Sequence, residues 1–596
     1  MKQEESGKKT WWKWLSGVLV LIFVLLGAAA LYLSARWKPL ISEKLKSGIQ
    51  QGSAGLYVLN FKDIHLNLLT GTASLDEVSL SPDTAVFNQL KAIEQAPIHL
   101  FQLKVKKLQV NHLGMVKAYF NKTIHINSIV LDQPSINMMN YQLKKKKKDT
   151  SNKTVYQLLA KSLKSLDIDA IRIVNADFDY IDGASGQPLH RIKKLNLNVR
   201  DLLIDSISQF DTTRFYYAKD ISFEVNGYQA KDKMYLTKVD TISGSAAKGT
   251  LLIKGFKMTP RYPDLAFSRM FKYGKDRYNL DFDQISLTGL DFPGFYDERT
   301  FHAKKITIGP AKAAIFLNRE MPPPPNLDKG RNFPHMALRR LGLPTIVDTL
   351  KIDNIDLAYT EYNPISQQKG TIYFQNLQGK ILHVTNDSLS VVKNNHAVAN
   401  LTALVMKKSR INIRIDFSLT DPKGAFHYSG AVAPMNLTDL NAISIPLGLI
   451  EIESGKMQKV DFDIHGNTRG SKGKVHFYYT DLKVKLLKEG EDGAPQKKKG
   501  LLSFLANNLL IEDANPSKGE APRTANVIFE RSPAASFFNL LWKGVFIGMR
   551  ESAGLGAVPV KTPEKAMEVI KDKKEERREK RAERQQKRAE RKKNKT

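Results

Sequence analysis

The chain has no cysteine among its 596 residues. That excludes disulfides, thiolate metal ligands, iron–sulfur clusters and cysteine nucleophiles together. It does not select a compartment, because a cysteine-free chain suits oxidising and reducing surroundings alike. Short motifs that carry chemistry are also missing. The twelve histidines are scattered, with no His-Glu-x-x-His, no His-x-His and no tight His/carboxylate cluster along the chain. There is no Gly-x-Ser-x-Gly elbow and no Rossmann glycine set. Gly244-Ser-Ala-Ala-Lys248-Gly249-Thr250 looks like a broken phosphate loop, but its lysine precedes the second glycine. The lysine of a working loop follows that glycine and reaches the outer phosphates, so the stretch reads as a turn into Leu251-Leu252-Ile253. No aromatic-rich RNA-binding signature occurs. The expectation is a protein that is not an enzyme, with no catalytic residues, no metal, no cofactor and no nucleic-acid partner.

Acidic residues are in deficit, 60 against 91 Lys+Arg, for a formal charge of +31. The last 33 residues hold 15 basic and 8 acidic side chains and the first 38 hold 6 and 2, so most of the excess is spread over the body. Such a surface suits anionic headgroups, nucleic acid or simple solubility equally, and charge alone selects none of them.

Only one long hydrophobic run exists. No charge falls between Trp14 and Ala35, and Leu15–Leu33 is almost continuously apolar. At about 1.5 Å per residue that segment spans roughly 28 Å, enough for a hydrocarbon core. Trp11, Trp12 and Trp14 flank one end and Tyr32 and Trp37 the other, as interfacial belts do. Lys8, Lys9 and Lys13 favour a cytoplasmic N-terminus, although Arg36 and Lys38 weaken the asymmetry. Ala28-Ala29-Ala30 would suit signal-peptide cleavage, but the run is longer than a usual signal core, so an uncleaved anchor is expected.

Beyond residue 60, period-two alternation dominates: Ile411–Phe417, Val460–Ile464 and Leu195–Val199 each alternate apolar with polar. Successive side chains on a strand point to opposite faces, so these are strands with one apolar face. A shorter phrase, apolar–two polar–apolar–any–apolar, recurs at Leu75…Leu80, Val105…Val110, Ile126…Leu131, Ile192…Leu197, Phe282…Leu287 and Met457…Phe462. Its polar pair predicts a bend or bulge at which the next strand begins. A longer repeat matches Ile171-Arg-Ile173-Val-Asn175-Ala-Asp177-Phe-Asp-Tyr180 to Leu350-Lys-Ile352-Asp-Asn354-Ile-Asp356-Leu-Ala-Tyr359, 179 residues apart. Each copy follows an amphipathic helical stretch, Val155–Leu166 and Met336–Leu341, and Ile450–Met457 echoes the phrase again. Repetition on this scale predicts stacked β units that bury apolar faces against their neighbours.

Composition divides the chain into a cytoplasmic tail (1–14), the anchor (15–33), a first β region (39–321), a proline-rich linker with a short helix (322–345), a second β region (346–500), a helical segment (501–563) and a highly charged basic helical tail (564–596). Two helices are expected in the helical segment, Leu501–Ile511 and Ala534–Ala553. Phe537, Phe538, Leu541, Trp542, Val545, Phe546 and Met549 recur in the second at spacings of three and four and form one face.

Taken together, the pattern resembles the AsmA-like family of bacterial envelope proteins. The resemblance rests on one N-terminal anchor followed by a long β region. Within it, Leu103-Lys-Val105-Lys-Lys-Leu108-Gln-Val110 is followed by Ile126-Asn-Ser-Ile129-Val-Leu131-Asp132-Gln-Pro134-Ser-Ile136, then by the two long repeats and the stretch Gly455–Leu487. It spans most of residues 15–550 in pattern and order and carries over no catalytic residue. What it implies is a mostly β fold, an elongated repetitive antiparallel sheet rolled into an open groove, with C-terminal helices. About 35 strands spaced by roughly 4.8 Å would make a groove on the order of 170 Å long. It further implies a single-pass inner-membrane protein with its bulk in the periplasm, whose groove holds phospholipid acyl chains. The implied role is passive lipid transfer or outer-membrane biogenesis, with outer-membrane or assembly proteins as partners; the alternative is a structural scaffold that carries no lipid. The Phe537–Met549 face would then cap the groove or touch a membrane; the alternative is a helix buried against the sheet.

Overall fold

The structure, a computed structural model, describes residues 37–67, 71–113, 121–141, 156–157, 163–487 and 512–554. The expected anchor Leu15–Leu33, the helix Leu501–Ile511 and the charged tail 564–596 lie outside the described residues. Among the described residues no helix is long and apolar enough to cross a membrane. The protein is mostly β, and the 23 strands among the described residues belong to one mixed sheet. Single strands run long, up to 19 residues.

Two compact units divide the chain, Met1–Lys257 with Gln284–His302, and Met258–Asp283 with Ala303–Thr596. The first contains β1 (Tyr57–Asn60), β2 (Asp63–Asn67), β3 (Thr72–Pro82), β4 (His99–Leu113), β5 (Thr123–Asp132), β6 (Ser135–Asn140), β7 (Ser165–Asp182), β8 (Pro188–Ile204), β9 (Ala218–Lys231) and β10 (Tyr235–Ser245). β11 (Thr250–Pro260), β12 (Arg277–Leu290) and β13 (Phe301–Ile308) have residues in each unit. The second continues with β14 (Ala311–Asn318), β15 (Thr345–Asn363), β16 (Gln368–Thr385), β17 (His396–Val405), β18 (Ser409–Ser418), β19 (Phe426–Val432), β20 (Met435–Asn436), β21 (Ile450–Asn467), β22 (Gly470–Leu486) and β23 (Thr524–Glu530). Three helices matter for packing: α1 (Trp37–Gly52), α2 (Thr84–Ala92) and α3 (Phe537–Ser552).

The sheet is not purely antiparallel. β5 and β6 both pair antiparallel with β4 and parallel with β7, and β14 pairs antiparallel with β12 and parallel with β15. The runs β7–β8–β9–β10 and β15–β16–β17–β18–β19–β21–β22–β23 are antiparallel. A parallel step needs a crossover of a dozen or more residues. The connections are residues 141–164 and 319–344, the regions of the two expected helical stretches. The second contains the helix Pro334–Arg339; of the first, Val155 and residues 158–162 lie outside the described residues, and Ser165 and Leu166 already lie in β7.

The long repeat is a structural repeat. Asn175 and Asn354, equivalent positions, adopt left-handed backbone at φ 52° and 50°. The register breaks identically, between Ile173 and Ala176 and between Ile352 and Ile355. The Asp177 carboxylate accepts the backbone N–H of Lys194 at 3.2 Å, and Asp356 that of Asn376 at 3.0 Å, each donor residue again at positive φ. In the Ile450–Met457 echo the register breaks at Ile452–Ser454 as well. The shorter phrase is less uniform. Its polar pair holds a left-handed residue at Glu77 and Lys194 and a register break at Met457–Lys459, but no left-handed residue in the other three copies. In all six copies the strand runs straight through, because a bulge bends a ladder without ending it.

Candidate functional site

In the first unit, alternation places one apolar side chain per strand in register. Ile129 on β5 faces Ile171 on β7, which faces Val199 on β8 and then Ile221 on β9. Leu131, Ile173, Leu197 and Phe223 form a second row, and Leu195, Val225 and Ile242 a third that reaches β10. The rows are sealed at one end. Leu45 and Ile49 of α1 and Phe87 of α2 join the buried cluster with Ile129 and Leu131, and Ile171 and Ile173 pack at its edge. The Asp83 carboxylate caps α2 by accepting from the backbone N–H groups of Ala85 and Val86. Leu195, Leu197, Val199, Ile221, Phe223 and Ile242 lie outside that cluster and are half-buried, with Val225 fully covered.

The second unit builds a similar band from β12 onward. Leu280, Ala313, Leu357, Phe374 and Val405 are in register across β12, β14, β15, β16 and β17, and so are Tyr278, Ile315, Tyr359 and Ile372 across the first four. Tyr278 is exposed and Leu280 half-exposed, whereas Tyr359, Ile372 and Val405 are buried. The cover is α3, capped by the Ser536 hydroxyl accepting from the Asn539 N–H. Leu540, Gly544 and Gly548, one turn apart, bring its backbone onto β19, β22 and β23: a Cβ on Gly548 would meet Val475 Cβ at 2.5 Å. Gly544 fits under the Tyr428 hydroxyl in the same way.

The seven expected helix-face residues all fall on α3, which runs from Phe537 to Ser552. Phe537 packs on Phe333, Phe417 and Phe426 with centroids 5.0–5.7 Å apart, and Phe538 on Tyr359 and Phe374 at 5.3 Å. Leu541, Val545 and Met549 pack against the larger core, and Trp542 against the cluster around Tyr359. Phe546 lies tilted against Trp542, with ring centroids 5.8 Å apart. All seven stay half-exposed, because the most buried stripe is the one carrying the two glycines. Strand β23, immediately before α3, lies inside a stretch whose sequence pattern reads as helical; Ala525 and Val527 bury against β22 there.

Polar groups that sequence reading did not single out hold α3 in place. The buried Arg531 guanidinium donates to the carbonyls of Thr468 (2.6 Å), Ser532, Pro533 and Ala535, pairs with Asp328 and lies over the Phe333 ring. Glu361, 2% exposed, accepts from the Tyr359 hydroxyl at 2.9 Å and the Asn539 amide at 3.3 Å and lies 3.3 Å from Arg319. Burial, reinforced by the Glu361 charge, pushes the Tyr359 hydroxyl well above its ordinary pKa. His335 is buried against Phe333, Phe417 and Phe426, and burial lowers its pKa.

The phosphate-loop lookalike is a turn between β10 and β11. Its Ser245 hydroxyl and Ala247 N–H donate to Asp220, which also accepts from Arg200. The anion in this nest is the chain's own carboxylate. The histidines, scattered along the chain, do meet carboxylates in space. His427, Asp463 and His465 have ligand atoms within 4.8 Å of one another, as do His125, Asp167 and Asp169. Antiparallel register puts His427 directly opposite His465, a closeness that spacing along the chain does not reveal.

No protein-family model matches the chain, and no curated protein matches it either.

Proposed function

We propose that this is an AsmA-like envelope protein, anchored in the bacterial inner membrane by Leu15–Leu33 with its bulk in the periplasm. In this reading its apolar sheet face binds phospholipid acyl chains and supports lipid transfer or outer-membrane assembly. One observation carries it: the rows Val199–Ile221, Leu197–Phe223 and Leu195–Ile242 extend an apolar face beyond the cluster that α1 and α2 seal. Each CH₂ of an acyl chain taken from water contributes about 0.8 kcal/mol, so a half-exposed apolar row is a favourable seat for one. The protein supplies no visible energy source, and movement along the band is passive. α3 acts as the cover at the other unit's band, with its face spent on packing rather than on a membrane. The basic tail adds about 1 kcal/mol per basic residue when it lies near an anionic leaflet.

A photo-crosslinking amino acid placed at Leu197 or Phe223 of the full-length protein in diderm bacterial cells tests this. Lipid adducts should form there and not at Asn198 or Glu224, on the opposite face of the same strands. Equal labelling of the two faces, or protein adducts alone, would leave the scaffold role in place of lipid binding.

A further inference from the structure

We propose that His427, His465 and Asp463 form a binding site for a divalent first-row transition-metal ion, on the sheet face turned away from α3. On β19, Phe426 and Tyr428 pack toward α3, so His427 between them points to the other side. On β21, Phe462 and Ile464 are in that core, and Asp463 and His465 alternate outward with His427. His427 and His465 are direct cross-strand partners, with rings stacked at 4.5 Å and 30°. Asp463 Oδ1 lies 3.1 Å from His427 Nε2.

Two histidines and one carboxylate converging from neighbouring strands are the donor set of open divalent transition-metal sites. A simple surface ion pair would need only His427 and Asp463. The second imidazole adds nothing to that pair, yet it supplies the third donor. Ligands bound at about 2.1 Å around a tetrahedral ion lie roughly 3.4 Å apart. The three ligand atoms, within 4.8 Å of one another, close to that spacing by small rotations of half-exposed or exposed side chains. The site opens into a cavity of about 640 Å³, which leaves the remaining coordination positions to water or an exogenous ligand. Asp416 faces His427 from β18 and is held 2.5 Å from His396, so a second carboxylate supports the positive charge. Lys472 and Lys474, opposite His465 and Asp463 on β22, and Arg469 in the cavity lining put opposing charges beside the site. This selects for an ion that binds imidazole strongly, and against calcium or magnesium, which prefer oxygen shells.

The test is titration of the full-length, tag-free protein in detergent with Co²⁺ at neutral pH, read by visible absorption and by competition with Zn²⁺. One Co²⁺ per chain should bind, be displaced by Zn²⁺, and bind at least about tenfold more weakly in His465→Gln and in Asp463→Asn. His476→Gln, on the same face of β22 but outside the cluster, should leave binding unchanged. The three side chains are outside the core, so the thermal transition should not move and a loss of binding is then a loss of ligands. The proposal is overturned if the wild-type protein binds Co²⁺ no more tightly than His465→Gln, or if the His476 variant loses as much. Because the site lies on the face away from α3, either outcome leaves the lipid-adduct test untouched.

Discussion

The two units treat the same construction differently. In the first, Ile129 and Leu131 on β5 are sealed beneath α1 and α2, while Leu197 and Phe223, continuing Leu131's row on β8 and β9, are left half-exposed. In the second, α3 lies directly on the band, and Tyr359, Ile372 and Val405 are buried with Phe538 and Trp542 over them. Alternation is equally clean in each, so alternation does not determine whether an apolar face becomes a closed core. An amphipathic helix does. The second unit uses two glycines, a buried arginine and a buried glutamate to seat its helix, whereas among the described residues no such device covers the rows on β8 and β9.

The largest expected contrast comes from truncating one leucine in each setting. Leu540, on the sheet-facing stripe of α3, is fully buried, and Leu540→Ala should cost about 2–5 kcal/mol through lost transfer energy and a cavity. Leu197→Ala removes a side chain that already meets water and leaves no closed cavity, so the cost should stay near or below about 1 kcal/mol. Urea unfolding followed strand by strand with hydrogen exchange separates the two. Equal costs would mean that the β8–β9 rows are covered after all, and the distinction between the units would collapse.

A smaller effect follows from His335. Burial lowers its pKa below the ordinary value of about 6.5, so the unfolded chain takes up a proton more readily than the folded one. Stability is therefore full above about pH 6.5 and falls as pH drops through that value, levelling only below the folded pKa. His99 in the first unit is also lowered by burial but is only half-buried, so acid should loosen the second unit first. His335→Phe, which suits the surrounding Phe333, Phe417 and Phe426 rings, should flatten the pH dependence of the second unit's melting temperature between pH 7.5 and 5. A slope that persists in this variant would assign the effect elsewhere.

Much of this was legible along the chain. Period-two alternation marks β8, β18 and β21, the repeat at 179 residues is real to the level of one bulge, and every residue of the Phe537–Met549 face lies on α3. What could not be read was set by pairing. The parallel steps at β7 and β15 depend on where a crossover returns the chain, and strand residues alone do not encode it. Arg531, Glu361 and His335 are polar residues in the core, and only the partners that the fold delivers explain them. The His427–His465 pair is a register effect, 38 positions apart in sequence.

The smallest and sharpest comparison uses the repeat itself. Asn175 and Asn354 hold left-handed backbone at the same bulge. Glycine adopts that conformation without a Cβ clash, asparagine tolerates it, and a β-branched residue pays the full steric cost. Asn354→Gly should therefore be near neutral and Asn354→Val should destabilise by about 1–2 kcal/mol. Asn175→Gly and Asn175→Val should behave alike, with one difference. The Asn175 N–H donates to the Asn196 side chain at 2.9 Å, so distorting that bulge also strains a hydrogen bond and the Asn175→Val loss should be slightly the larger. The measurement is local hydrogen-exchange protection of β7 and β15 in the four variants. If valine is tolerated at one position and not the other, the two bulges are separate solutions to two strand bends, and the repeat is a resemblance of pattern rather than of mechanics.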